Sequence, residues 1–397
     1  MNRRSIAFPL LLSLGLATTG AAIFVRSRAA TPPTPSSPEE THFSTGSFPG
    51  SVLVEDFNRD GSADLAVANV LDNSLTVLLG DGRGGFRPSA GSPFSAGHNP
   101  NDAGAGDFDG DGLLDLAFAN HDAPYVTLLR GDGKGGFRPA PRSPFAVQSQ
   151  PHPHGIAVGD WNGDRKLDLA VESWAIDKVE VLLGDGKGGF AIPGALFAVG
   201  RMPYQRLRAA DLDGDGRDDL VTTNFEGESV SVLLADGKGG FRTAPGSPFR
   251  AGKSPFAVAI GDLDGDHHPD LAVANYSGQE TDGSRDGVHV LLGDGKGGFR
   301  LLAGSPFPTG RSPVRIALGD LDGDGRPEIM TAANGSNDVT ILRRAPSGGY
   351  ALARTLAVGH GPQGLAIADL NGDGKGDLVV CESADNRVTI FRGPFVR

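Results

Sequence analysis

The segment Asp211-Leu-Asp-Gly-Asp-Gly-Arg-Asp-Asp219 sets carboxylates at positions 1, 3, 5 and 9 of a nine-residue loop, with Gly216 at position 6. Alternating acidic positions on one tight turn deliver several hard oxygens to a single point. Ca²⁺, which takes six to eight oxygens in a tolerant geometry, is the cation that such a set suits. Glycine at position 6 supplies the positive φ that the turn requires. The pattern occurs seven times. Its oxygen donors are Asp56, Asn58, Asp60 and Asp64; Asp107, Asp109, Asp111 and Asp115; Asp160, Asn162, Asp164 and Asp168; Asp211, Asp213, Asp215 and Asp219; Asp262, Asp264, Asp266 and Asp270; Asp320, Asp322, Asp324 and Glu328; and Asp369, Asn371, Asp373 and Asp377. The expected cofactor is therefore Ca²⁺, at up to seven sites.

The flanking sequence excludes an EF-hand, which carries a bidentate Glu at position 12 and a helix on each side. Counted from Asp107, position 12 is Phe118, inside the apolar run Leu116-Ala-Phe-Ala119. Such short Leu/Val/Ala runs read as buried strands, so each loop joins two strands. A metal-free Asp-Gly turn explains one copy but not seven regular ones. Arg165 and His267 replace the position-6 glycine, and Arg59 replaces the position-4 glycine. The loops at Asp160 and Asp262 are expected to be the weaker sites, because a side chain must tolerate the turn there.

The loops recur at intervals of 49 to 58 residues, and one interval shows the repeating unit. His154–Gly159 alternates as a first, inner strand; Leu169–Glu172 is a second; Val179–Leu183 is a third. The Gly-rich turn Gly184-Asp-Gly-Lys-Gly-Gly189 leads to a fourth strand opened by Phe190. Four short strands in about 50 residues predict a propeller blade. The fold class is all-β: a seven-bladed β-propeller of four-stranded blades. The last repeat stops after its third strand, at Val388-Thr-Ile-Phe391. The segment His42-Phe-Ser-Thr-Gly46 matches a fourth-strand end, so the N-terminal strand is expected to complete the last blade and remove two open sheet edges. The Gly-rich turns are not phosphate loops, because Gly-Gly-Phe enters a strand rather than a helix.

The 397 residues carry a net charge of −12, which excludes a generic nucleic-acid binder. About half of the 48 acidic residues belong to the loops, so bound cations would relieve their mutual repulsion. Residues 1–30 read as a targeting segment, with Arg3 and Arg4 before the uncharged run Ile6–Val25. It is either a cleaved signal peptide or a retained anchor, since 20 uncharged residues suffice to span a bilayer. Either way the remainder is expected to be exported, to a secreted, periplasmic or cell-surface location. Residues 31–41 form a Pro/Ser-rich linker, and 42–397 the propeller. The lone Cys381 lies in an apolar run and reads as a small buried residue.

These loops and strands resemble the FG-GAP/VCBS repeat family, the seven-bladed calcium propellers related to the head of integrin α subunits. The resemblance rests on seven Asp-x-Asp/Asn-x-Asp loops followed by Asp/Glu-Leu/Ile and covers roughly residues 42–397. The Phe-Gly…Gly-Ala-Pro pattern is not literal here; Gly-Gly-Phe and Ser-Pro-Phe take comparable places. The resemblance implies extracellular calcium binding and recognition of proteins or glycans.

Strand order sets the acidic loops and Gly-rich turns on one face of the disc. The blade connectors and the loops between second and third strands share the other. Variable loops on a rigid scaffold are where recognition concentrates. Aromatic rings with His and Arg can stack on sugars or anchor a protein; the residues expected to do so are Trp174, Tyr204, Arg206, Tyr125, Tyr276, His154 and Arg315. One extra residue between Pro203 and Asp211 predicts a bulge that turns Arg206 and Arg208 toward the central channel. The expected function is a monomeric, exported, calcium-stabilised binding module for a glycan or extracellular protein. The membrane would be met only through an N-terminal anchor. A polysaccharide-active enzyme with a site near the channel and a purely structural surface protein are the alternatives. No Gly-x-Ser-x-Gly or His-Glu-x-x-His motif supports catalysis.

Overall fold

The runs that follow the acidic loops, such as Asp64–Asn69, Asp115–Asn120 and Asp219–Asn224, are buried along their whole length. A strand covered on both faces needs a neighbour on each side and a sheet stacked above and below. The computed structural model, which describes residues 38–148, 153–276 and 287–395, meets that need with seven small antiparallel sheets. Blade three shows the plan. Its inner strand Pro153–Gly159 pairs with Asp168–Ser173, which pairs with Lys178–Leu182, which pairs with Ala195–Ala198.

The inner strands of the seven blades are Pro49–Glu55, Pro100–Gly106, Pro153–Gly159, Pro203–Ala210, Pro255–Gly261, Pro313–Gly319 and Pro362–Ala368. Each touches the next, and the last touches the first, so they close a ring. The expected closure is present: Glu40–Ser44 pairs with Arg387–Phe391 and becomes the fourth strand of the seventh blade. Apolar side chains fill the space between neighbouring blades. Leu128 and Phe108 of blade two meet Ile156 and Leu169 of blade three. Val67 and Leu78 of blade one meet Val379 and Val388 of blade seven. Cys381 is fully buried in that last layer, and burial pushes its thiol pKa up.

Every inner strand is bulged just after its opening proline. In blade two, Pro100 pairs with Asn120 but Asp102 already pairs with Ala119. Blade four carries the additional residue: Pro203 pairs with Asn224, and pairing resumes at Leu207 with Thr222. Among the described residues, no helix is long and apolar enough to cross a membrane. The targeting segment 1–30 lies outside the described residues.

Candidate functional site

The acidic loops are tied together by their own backbone. Asp107 accepts from the amides of Gly110, Asp111 and Gly112, and Asp111 accepts from Leu113 N at 2.9 Å. The position-9 residue fastens loop to sheet. Asp115 accepts from Phe108 N at 3.1 Å on one oxygen and from Gly131 N, at the end of the third strand, at 3.0 Å on the other. Asp64, Asp168, Asp219 and Asp270 do the same in their blades. Burial raises the pKa of these five carboxyls to about 6 and that of Glu328 to about 7, against the lowering effect of the amides.

Positions 1, 3 and 9 converge. In the loops at Asp107, Asp211, Asp262 and Asp320, one oxygen from each of those three residues lies within 4.8 Å of the other two. The position-3 side chains are more enclosed than those at position 5, with Asp109 only 3% exposed against 35% for Asp111. Asp109 Oδ2 is buried, and the Arg130 guanidinium lies against it. An all-carboxylate donor set of this size fits a hard divalent ion. Position 5 instead caps the loop. In the loops at Asp56, Asp160 and Asp369 an asparagine stands at position 3. Arg59, Arg165 and His267 adopt φ of +63°, +65° and +68°, the left-handed conformation that glycine takes elsewhere. His267 does not prevent convergence in its own loop.

The Gly-rich turns carry a role that sequence reading did not assign. Gly84 N donates to Leu370 O at 3.0 Å, Gly188 N to Phe108 O at 2.9 Å, Gly239 N to Trp161 O at 3.0 Å and Gly297 N to Leu212 O at 3.0 Å. Each acceptor is position 2 of the acidic loop in the preceding blade. The turn of one blade therefore grips the loop of its neighbour, so loop geometry and blade packing are mechanically joined. In the sixth blade Tyr350 Oη performs this task, donating to Leu263 O at 3.0 Å.

On the opposite face, aromatic rings form a continuous ribbon. His121 and His154 lie 4.2 Å apart between ring centroids, His154 and Tyr204 4.3 Å, Tyr204 and Phe256 5.3 Å, and Phe256 and Tyr276 5.1 Å. Trp174 and Phe225 join its outer side at 6.4 Å from His154 and 5.8 Å from Tyr204. Two registers build it: the residue after the proline that opens an inner strand, and the residue after the second strand ends. Blades three to five carry aromatic or His residues in both registers and blade two in the second only, with Asn101 in the first, whereas blade six has Val314 and Asn334. That periodicity is present in the sequence itself. Beside Phe225 a pocket of about 310 Å³ is lined also by Arg201, Glu226, Glu228 and Lys253, with Arg201 and Glu226 paired at 2.6 Å.

Three expected face residues are corrected by the structure. His154 is fully buried within the ribbon. Arg315 is 5% exposed and donates to Gly50 O at 2.8 Å. Arg206 is turned inward by the bulge, as expected, but is 2% exposed and ion-paired with Asp102 at 2.5 Å. The reason is shared: the inner strands crowd around the axis, so their side chains are enclosed rather than displayed. Trp174, Tyr204, Tyr125 and Tyr276 are half-buried, and Tyr125 Oη accepts from His98 N at 3.3 Å. The sequence reading also missed Glu172. It is a carboxylate within a fully buried strand, accepting from Thr222 Oγ1, with Asp102, Arg206 and Arg208 nearby; burial lifts its pKa to about 7.

Comparison with known proteins agrees with this geometry. The FG-GAP-like repeat matches residues 56–118, 107–171, 211–273 and 276–331. Human integrin alpha-IIb is 29% identical over 224 residues, 49% of this chain and 21% of that protein. Drosophila melanogaster integrin alpha-PS2 is 27% identical over 226 residues, 49% of this chain and 16% of its own. The matched segment thus spans about a fifth of these relatives. Among solved structures, BBS1N in complex with ARL6DN superposes with a TM-score of 0.60 at 12% identity, covering 88% of this chain and 93% of that one. A streptogramin B lyase gives 0.55 at 16% identity, covering 89% and 97%. At such identities the likeness is one of fold.

Proposed function

The chain belongs to the FG-GAP-like repeat family, and from that premise we propose that it is an exported recognition module whose propeller is stabilised by Ca²⁺ in the acidic loops. Its ligand, a glycan or an extracellular protein, is met by the face opposite those loops. The observation that carries this reading is the aromatic ribbon across blades two to five. Half-buried rings held in tilted and edge-to-face contact by their neighbours need little further ordering to stack against a sugar ring or an apolar side chain. The Arg201–Glu226 ion pair and the separate charges of Lys253 and Glu228 line the pocket beside it with both signs. That balance suits a hydroxyl-rich or mixed-charge ligand better than a strongly charged one.

When bound, the cation supplies charge neutralisation and fixes loop geometry; the chain's own Asp107, Asp109 and Asp115, and their counterparts, would hold it. In the inner ring of blades two to four, Arg206 and Arg208 both pair with Asp102. This favours binding over catalysis at the channel.

The test is a glycan array and a panel of extracellular matrix proteins, probed in calcium with the wild-type chain and with Trp174→Ala and Phe225→Ala. Binding that both variants weaken about tenfold or more, as truncation of an aromatic anchor does, supports the reading. Binding that both variants leave intact would place recognition elsewhere. Turnover of a polysaccharide would favour the enzyme instead.

A further inference from the structure

We propose that Arg130 and Arg343 are built-in competitors for the cation at the second and sixth acidic loops, so that these two loops fill only at higher Ca²⁺ than the fifth. The inference rests on the reading of the loops as calcium sites. It begins with one register of the third strand, the residue before its last. That position is Leu79, Leu234 and Leu292 in blades one, four and five, all buried. In blades two and six it is arginine, and both arginines turn their guanidinium into the loop of their own blade.

The Arg130 guanidinium contacts the buried Asp109 carboxylate and donates to Asp111 at 3.3 Å. The Arg343 guanidinium lies 2.7 Å from Asp322 and 3.3 Å from Asp324, with Glu328 at 4.0 Å. Asp109 and Asp322 occupy position 3, and each is a member of its loop's converging trio. The same two donor oxygens therefore face either an internal cation of charge +1 or an external one of charge +2. The fit of Arg130 is incomplete: its Nε is buried without a hydrogen-bond partner. At the sixth loop a cavity of about 350 Å³, lined by Asp322, Asp324, Arg343 and Lys375 among others, gives the guanidinium room to withdraw. Blade seven supplies the contrast. Arg392 stands in the same register but reaches Glu39 at 2.7 Å and Gly84 O at 3.1 Å, away from its loop.

Two effects follow from one side chain. Without the ion, the guanidinium offsets carboxylate repulsion and holds the loop in shape. With the ion, it must leave a partly buried anion, which lowers the net affinity. The propeller would then respond to calcium in two stages, with the loops at Asp107 and Asp320 filled in the second.

Calorimetric Ca²⁺ titration of the full chain, paired with the melting temperature of the chelated protein, tests this. The wild-type chain is expected to show a tighter and a weaker class of site. In the Arg130→Leu/Arg343→Leu double variant, two sites should move to the tighter class, with affinity about tenfold higher or more, and the chelated protein should melt earlier. Arg130→Gln with Arg343→Gln, which retains polarity and length, serves if the leucine variant does not fold. Arg392→Leu should leave the number of tight sites unchanged. Superimposable isotherms for the wild-type chain and the folded double variant would overturn the competition while leaving the calcium sites standing. If neither chain took up Ca²⁺, the calcium reading itself would fall, and this inference with it.

Discussion

Arg206 and Asp102 meet at 2.5 Å although they belong to blades four and two, which are not neighbours. The contact passes blade three where Gly155 occupies the inner strand; a Cβ there would lie 2.6 Å from Leu207 N and 2.8 Å from Glu172 Oε1. Arg315 of blade six reaches past blade seven to Gly50 O of blade one, and blade seven has Gly364 two residues after its opening proline, as blade three has Gly155. Two arginines thus stitch the inner ring across blades whose own residue is glycine. A propeller otherwise relies on contacts between adjacent blades.

Breaking the first stitch should be costly. Asp102→Asn or Arg206→Met leaves a buried charge without its partner and is expected to lower stability by about 3–5 kcal/mol in urea unfolding. Asp102→Leu combined with Arg206→Met should recover much of that loss. Full additivity of the two single effects would show that they do not act as a pair.

Glu172 should give the inner ring a pH dependence. Its folded pKa is raised from the usual 4.5 to about 7 by burial, so the protonated form is the one that folding favours. That contribution is complete below pH 4.5 and is lost as pH rises through 7. Glu172→Gln should therefore be the more stable protein at pH 8, by on the order of 2–3 kcal/mol, and lie close to wild type at pH 4.5. Urea midpoints measured at the two pH values decide it; a Gln variant weaker than wild type at pH 8 would show that the carboxylate is needed charged.

Chelation should loosen the whole disc rather than single loops, because the Gly-rich turns grip the neighbouring loops. Sites with a Kd of about 10⁻⁴–10⁻³ M in millimolar Ca²⁺ each contribute roughly 0.4–1.5 kcal/mol. Excess chelator is expected to lower the melting temperature in one cooperative step. An unchanged melting curve, with no metal detected by mass spectrometry, would remove the calcium from this account.

Ring closure depends on a strand from the far end of the chain. Phe43 meets Phe86 edge to face at 5.5 Å and seats Glu40–Ser44 on the last blade. Phe43→Ala should cost about 2–4 kcal/mol. Deleting residues 38–44 leaves Arg387–Phe391 as an open edge, so size-exclusion chromatography should show association. A deleted chain that stayed monomeric and equally stable would mean that closure contributes nothing.

Much of this architecture could be read directly from residue order. Seven loops of alternating acids, each before a short apolar run, specify a turn between two strands, and the spacing leaves room for two more strands. The N-terminal match to a missing fourth strand specified closure. These features are local or periodic, and local chemistry dictates them. Side-chain destinations were a different matter. His154, Arg206 and Arg315 carry groups that suggest an exposed site, yet ring closure packs seven inner strands about one axis and encloses them. Arg130 and Arg343 look like strand residues next to a turn. Only the folded hairpin sets their guanidinium groups against a carboxylate cluster about 20 residues away in sequence. Which charges meet is a property of the closed ring, because the partners are brought together by packing between blades rather than by their order along the chain.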